Sequence, residues 1–581
     1  MLKLPVPADL LLVAKEGELF FAQRVAELCY TYTRESYRVS TTTVPFLARE
    51  CLSVIRDHRE FDLHISGVER VLDELKRRSR QNSIVASLLS VPLESCFEPD
   101  MGNLGRVEDA VRVFAAEVNS ISYLNEAVAQ IIAADSNEKA KLDFLACELT
   151  TTLIHLGMSQ DYIYDTARRI FFIEEQTEQS RLLSFLDAVK IKEVPSFDAL
   201  IPIQSGIGEL NTDILELFRS KTVETIPQSF EAPSDFVEAY QGNAYLHITG
   251  IRAPDHFSAV KLIKRNVVRI HDLLGLFYHK GSNEFSKSIL VAKAGEAANT
   301  TLMKSDQNLM QMISDNPRTL AARKLETMVK SLRLAGGRDS EKFFRVVDFH
   351  GMSLNSSIPE NQLINLWTSL ETIAPSIKGK SIIGSVCEGI GPMLGLQYVS
   401  RTFLTAARDL KRWDNKKFKE AIKQVKSGAG LVEKTFLLIT DPQFDAVCSA
   451  LLAEMVDFPL LKYRIFDLNK KYKNGKNAEA QVRLHVLKAE QQIHRIYRTR
   501  NSIVHSAQKN DLTENLIISA HEYFDQVFML TVELCSRPRN FNNYRDAFTF
   551  SRIAFENYLK GLSQAGSAPV MDASKFIWKA A

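Results

Sequence analysis

Apolar residues recur at intervals of three and four along most of the chain, the spacing that gathers them on one face of an α-helix. Over residues 1–200 this pattern predicts helices at 20–32, 43–56, 68–80, 107–134 and 139–155, with glycine scarce and no fixed-period repeat. That stretch reads as a helical sensor or scaffold region to which no chemistry is assigned. From 201 to 337 the texture changes. Gly206, Gly208, Pro227, Pro233, Gly242, Gly250 and Pro254 punctuate shorter pieces. Segments 244–250 and 288–292 read as strands and 257–278 as an amphipathic helix, so a small α/β insert is expected.

Gly336-Gly337-Arg338-Asp339 is the clearest linker signal in the chain. Beyond it, helices are predicted over 361–372, 392–410, 416–438, 444–472, 478–507, 513–535 and 544–562, making 341–581 an all-α bundle. Ser357-Ile358-Pro359-Glu360 has the form of a capping box with proline in the first turn, and Asp511-Leu512-Thr513-Glu514 resembles a second helix start. The helix before that second start must end just after His505. The whole chain is thus expected to be mainly α and multi-domain.

The helix expected over 478–507 carries the most informative residues. At about 100° per residue, His494, Arg498, Asn501 and His505 fall on one stripe. Arg500 points elsewhere, and its helical neighbours Ile493, Ile496, Ile503 and Val504 are apolar. A permanently charged guanidinium is costly to bury unless an acceptor meets it. Arg500 therefore marks a candidate site, and Glu371 is proposed as its acceptor on that ground alone; a surface carboxylate after a core tryptophan is the competing reading. Arg500 and His505 lie about 140° apart on an ideal helix, so a single straight helix does not readily aim both at one phosphate. Either the long arginine bends round, or a second copy of the chain completes the site.

Length and composition narrow the classes. With 581 residues the chain exceeds one core, and roughly 100 to 200 residues per domain implies three or four. Lys and Arg total 72 against 70 Asp and Glu, so any nucleic-acid contact must be local. Cys29, Cys51, Cys96, Cys147, Cys387, Cys448 and Cys535 are scattered and odd in number, which reads as reduced thiols of a cytoplasmic protein with no disulfide framework and no zinc site. The apolar run 10–13 is followed at once by Lys15, Glu16 and Glu18, unlike a signal peptide. No run of about 18 apolar residues occurs, so a soluble protein without a membrane partner is expected.

Other motifs compete less well. Ala374-Pro375-Ser376-Ile377-Lys378-Gly379-Lys380-Ser381 matches a relaxed phosphate-loop pattern, yet a helix rather than a strand is predicted before it, which favours a basic surface loop. Gly384, Gly389 and Gly391 lack dinucleotide-fingerprint order and read as turn or close-packing glycines. His58, His64, His155, His247, His256, His279 and His521 show no partners at metal spacing, so no metal or cofactor is assigned. Arginine followed by histidine five or six residues later also occurs at Arg265 with His271 and at Arg345 with His350. Arg345 lacks a polar successor, and Lys261 and Arg269 place Arg265 on an ordinary basic face. Context, not spacing, selects Arg500.

With Ile496-Tyr497-Arg498-x-Arg500-Asn501-x-Ile503-Val504-His505, and Leu366-Trp367-x-x-Leu370-Glu371 before it, the region 341–581 resembles a HEPN domain, most closely the ApeA-like anti-phage group. The resemblance implies a metal-independent endoribonuclease, a homodimer whose two motifs face each other, with Arg500, Asn501 and His505 as motif residues. RNA cleavage by its own 2′-OH needs a proton acceptor, a proton donor to the leaving 5′-oxygen and positive charge near the phosphorus. Imidazole serves either proton role, and a guanidinium suits phosphate. Asn501 is then placed to hold the imidazole or the phosphate, while Arg498, His494 and Tyr497 are candidate RNA contacts. The expected partners are RNA, a second copy of the chain, and a phage-derived trigger or cognate regulatory protein. The alternative is a non-catalytic HEPN-type adaptor or dimerisation subunit.

Overall fold

The computed structural model describes residues 4–580 apart from 13–14, 31–32, 34–36, 62–63, 98–102, 175–179, 192, 204–211, 277–285, 305–308, 312–316, 333–337, 507–512 and 537–540. The protein is mainly helical with one small antiparallel sheet, as the apolar periodicity requires. Its N-terminal region holds α1 (Glu16–Cys29), α2 (Val44–Phe61), α3 (Ser66–Arg80), α4 (Ser83–Leu88), α5 (Leu104–Glu117), α6 (Ser120–Ala133), α7 (Lys139–His155), α8 (Gln160–Arg168) and α9 (Arg181–Ala188). The single helix expected over 107–134 is two. Val118 leaves the helical conformation, and the Asn119 side chain accepts from the backbone N–H of Ile121 and Ser122 at 3.2 and 3.0 Å, capping a new start.

The insert contains β1 (Ser196–Pro202), α10 (Thr212–Glu216), β2 (Ser220–Val223), α11 (Ser234–Ala239), β3 (Tyr245–Arg252), α12 (His256–Gly275), β4 (Ser288–Lys293) and β5 (Glu296–Lys304). Strand order is β2-β3-β1-β4-β5, with every neighbour antiparallel. Both expected strands are present, but the central β1 straddles the expected boundary at residue 200. Its apolar residues are buried on both faces: Phe197, Ala199 and Ile201 join one core and Leu200 the other. Such a run lacks the polar alternation that marks a half-exposed strand.

After the exposed α13 (Arg318–Ser331) comes the C-terminal bundle. It comprises α14 (Arg338–Asn355), α15 (Pro359–Ile373), α16 (Ile382–Trp413), α17 (Asn415–Gln424), α18 (Leu431–Thr440), α19 (Asp445–Ala453), α20 (Pro459–Tyr472), α21 (Gly475–Ser506), α22 (Thr513–Leu534) and α23 (Tyr544–Ala565). Gly336 and Gly337 of the expected linker lie outside the described residues, as do Asp511 and Leu512 of the second expected helix start. The capping box at 357–360 does not form: Ile358 is the N-cap without a side-chain bond, although Pro359 does occupy the first turn. Each of the expected long helices 416–438 and 444–472 is broken, the first around Gly428 (φ +92°) and Gly430, the second before Pro459.

Helix α16 runs through the whole bundle. Proline favours a first helical turn, yet Pro392 sits inside α16, which starts ten residues earlier with the Ser381 hydroxyl accepting from the Gly384 N–H at 3.2 Å. Val386, Ile390, Met393 and Leu394 are buried around it. By length and composition this helix is apolar enough to cross a membrane, and 61% of its apolar window is buried inside the fold. Its glycines serve close packing. A Cβ on Gly395 would stand 2.4 Å from a Phe555 ring carbon and 2.9 Å from Val486. Gly395→Ala is expected to cost about 1–3 kcal/mol through this overlap, read as a lower urea midpoint; an unchanged midpoint would show that α23 yields freely.

Two cores occupy the bundle. One gathers α15, the start of α16, α21 and α22 around the fully buried Trp367; the other gathers the end of α16, α18, α20 and α23 around Phe403 and Phe436. Phe20 and Leu142 of the N-terminal region belong to the second core, and Phe46 packs on the first. The N-terminal helices are therefore built onto the bundle. A buried ion pair reinforces that seam, with Arg464 Nη1 donating to Glu27 Oε1 at 2.8 Å while the guanidinium lies 3.6 Å from the Tyr37 ring centroid.

Candidate functional site

Helix α21 is anchored along most of its length and ends at Ser506. Ile493 and Ile496 are buried, and the Tyr497 ring packs on Trp367 with centroids 5.1 Å apart. Tyr497, expected as an RNA contact, is thus partly occupied by the core. Trp367 Nε1 donates to Glu371 Oε2 at 2.8 Å, so the carboxylate proposed as the acceptor for Arg500 receives an indole instead. Arg500 Nη1 donates to Asn501 Oδ1 at 3.0 Å, whereas its Nε is buried without a hydrogen-bond partner among the described residues. A guanidinium with an unused buried donor favours an incoming acceptor. His505 stands exposed on the last turn, two residues before the segment 507–512 that lies outside the described residues.

The upstream half of the same stripe is covered. Arg498 pairs with Glu50 of α2, and the His494 Nε2 meets the Arg70 guanidinium of α3. Burial, with the charges of Arg70 and Arg498, pushes His494 down to about 3, so its imidazole is neutral near pH 7 and supplies no positive charge for an RNA backbone. Thr41 Oγ1 donates to Gln492 at 2.9 Å and Arg77 to Gln491 at 2.7 Å. The motif helix is clamped.

At the centre of the clamp sits Arg495, buried and absent from the sequence-based site. It donates to both Glu50 oxygens at 2.9–3.0 Å, to Glu74 Oε2 at 2.9 Å and to Gln492 Oε1 at 3.0 Å. Burial alone would raise the Glu50 carboxyl, but the Arg495 and Arg498 guanidiniums overcome it and hold Glu50 down at about 2. The insert reaches the same neighbourhood. Lys261 of α12 pairs with Glu514 at 2.7 Å, and Arg265 with Glu360 at 3.1 Å, so the face expected to be merely solvated ties the insert to α22 and α15.

These groups give the fold a defined acid response. Burial holds His155 at about 4 and His485 and His494 at about 3, all below the ordinary 6.5. The unfolded chain therefore binds more protons below about pH 6.5, and stability, full above that value, falls as pH drops. Glu50, depressed from 4.5, adds a second loss below pH 4.5. Urea midpoints are expected to hold from pH 7.5 to about 6.5 and to decline from there to pH 5; a flat profile down to pH 5 would contradict the neutral, buried state of these imidazoles.

Two further clusters bear on the expectations. The loop 374–381 follows helix α15, Ser381 is committed to capping α16, and Lys380 pairs with Glu388 at 3.1 Å, the arrangement of a basic surface loop. His521, expected to have no partner at metal spacing, has two. Its Nε2 lies 3.0 Å from the His350 Nε2 and 3.7 Å from Asp525 Oδ1. Burial lowers His350, and burial plus the neighbouring His350 pushes His521 down to about 4.

No family model matches this chain, and neither does any curated protein or solved structure. The likeness to HEPN domains accordingly rests on the motif and its helical setting.

Proposed function

We propose that the chain is a metal-independent endoribonuclease effector of HEPN type, with Arg500, Asn501 and His505 as its reactive groups and RNA as substrate. The observation that carries the reading is the end of α21, where an exposed His505 follows an Arg500 whose Nε is buried without an acceptor. On this reading the Arg500 guanidinium pairs with an RNA phosphate. The 2′-oxygen attacks phosphorus as its proton passes to one imidazole, the P–O5′ bond breaks, and a second imidazole protonates the leaving oxygen. The products are a 2′,3′-cyclic phosphate and a 5′-hydroxyl.

One chain carries one such histidine, so a second copy facing the first completes the pair. Clamping by α2 and α3 supports a restrained state, released by a phage-derived trigger or a cognate regulatory protein in anti-phage defence. Purified full-length protein incubated with total RNA and EDTA is expected to yield cyclic-phosphate ends once infected-cell extract is added, above the level given by the extract alone. Absence of cleavage with and without infected-cell extract would favour the adaptor reading, which draws support from the same clamp.

A further inference from the structure

Outside the motif, α14 packs on α22 through an aromatic ladder in which Phe343 stacks on Phe528 and His350 on Phe524, with centroids 5.7 and 4.9 Å apart. Within it, His350, His521 and Asp525 turn donor atoms toward one point, all within 4.8 Å of one another. A tetrahedral ion with bonds of about 2.0–2.1 Å spaces its ligand atoms about 3.3 Å apart. The His521–His350 and His521–Asp525 separations, 3.0 and 3.7 Å, bracket that spacing.

As the cluster stands, the two imidazoles face each other Nε2 to Nε2 at 3.0 Å, and the His521–Asp525 separation of 3.7 Å exceeds hydrogen-bond length. His521 Nδ1 has no hydrogen-bond partner among the described residues, so the polar contacts of this ring all lie on its Nε2 edge. A cation at the centre would engage all three lone pairs. Two imidazoles and one carboxylate give a net charge of −1 and a donor set suited to zinc and its neighbours rather than to magnesium or calcium. Asp525 is 48% exposed, which leaves the remaining coordination position to water.

We propose that His350, His521 and Asp525 form a zinc-class divalent metal site that joins α14 to α22, separate from the Arg500 and His505 end of α21. Untagged full-length protein dialysed against zinc is expected to retain about one equivalent per chain by elemental analysis. Cobalt(II) in its place is expected to show the ligand-field absorption of a four-coordinate site. His350→Phe keeps a ring on Phe524 while removing one ligand, and Asp525→Asn alters only a half-exposed group; each is expected to weaken zinc binding at least about tenfold. If His350→Phe does not fold, Asp525→Asn supplies the comparison. Wild-type protein that takes up neither metal, or folded variants that bind as the wild type does, would overturn the site. Metal content is read without RNA, so this test and the nuclease test fail independently.

Discussion

His505→Ala is expected to reduce RNA cleavage by about 10²–10⁴-fold, the range set by removing a general acid or base, while leaving the urea midpoint within about 0.5 kcal/mol. Its exposure on the final turn of α21 is the reason for expecting so small a structural cost. Arg500→Ala should match it in activity. Arg500→Lys should recover little, because an ammonium lacks the planar fork that holds Asn501 with one donor and leaves another for phosphate. The dimer adds a sharper test. If two facing motifs make one site that uses both His505 imidazoles, a mixed dimer of one wild-type and one His505→Ala chain should be as inactive as the His505→Ala homodimer, so that co-expressed His505→Ala chains suppress the wild-type activity. Two folded variants that cleave at the wild-type rate would remove Arg500 and His505 from the mechanism, whatever the fate of the metal site.

Local chemistry explains how far the residues by themselves lead. The helical course of α21 and the apolar neighbours of Arg500 follow from intervals of three, four and seven along one helix, its end after His505 follows from the helix-start signal at 511–514, and the structure has α21 ending at Ser506. What local spacing does not contain is the identity of partners across the fold. Arg495 looks like any basic residue among glutamines until Glu50 and Glu74 arrive from 445 and 421 positions away. His521 and Asp525, four apart on one helix, are visible as a pair, but His350 joins them from 171 positions upstream. The strand β1 escapes for a different reason, since burial on both faces erases the alternation that identifies strands. Glu371 shows the opposite error: need for an acceptor near Arg500 is sound physics, but the indole of Trp367, four residues back on the same helix, donates to that carboxylate.

The clamp on α21 carries the second large effect. Glu50 receives both Arg495 and Arg498, and Glu74 keeps Arg495 partly paired if Glu50 is neutralised. Glu50→Gln should therefore cost about 3–5 kcal/mol, the penalty for breaking a buried pair by removing one partner, and should free Arg498 in particular. Arg498 shares its helix stripe with Asn501 and His505, so its release adds a cation to the end of the motif that the proposed nuclease would turn to RNA. If α2 and α3 restrain the nuclease, Glu50→Gln raises trigger-independent cleavage, and the added phosphate contact steepens its salt dependence. The double variant Glu50→Gln with His505→Ala should lose that gain, which separates true release from contamination or unfolding. A Glu50→Gln protein that is less stable but no more active would assign the clamp to fold maintenance alone.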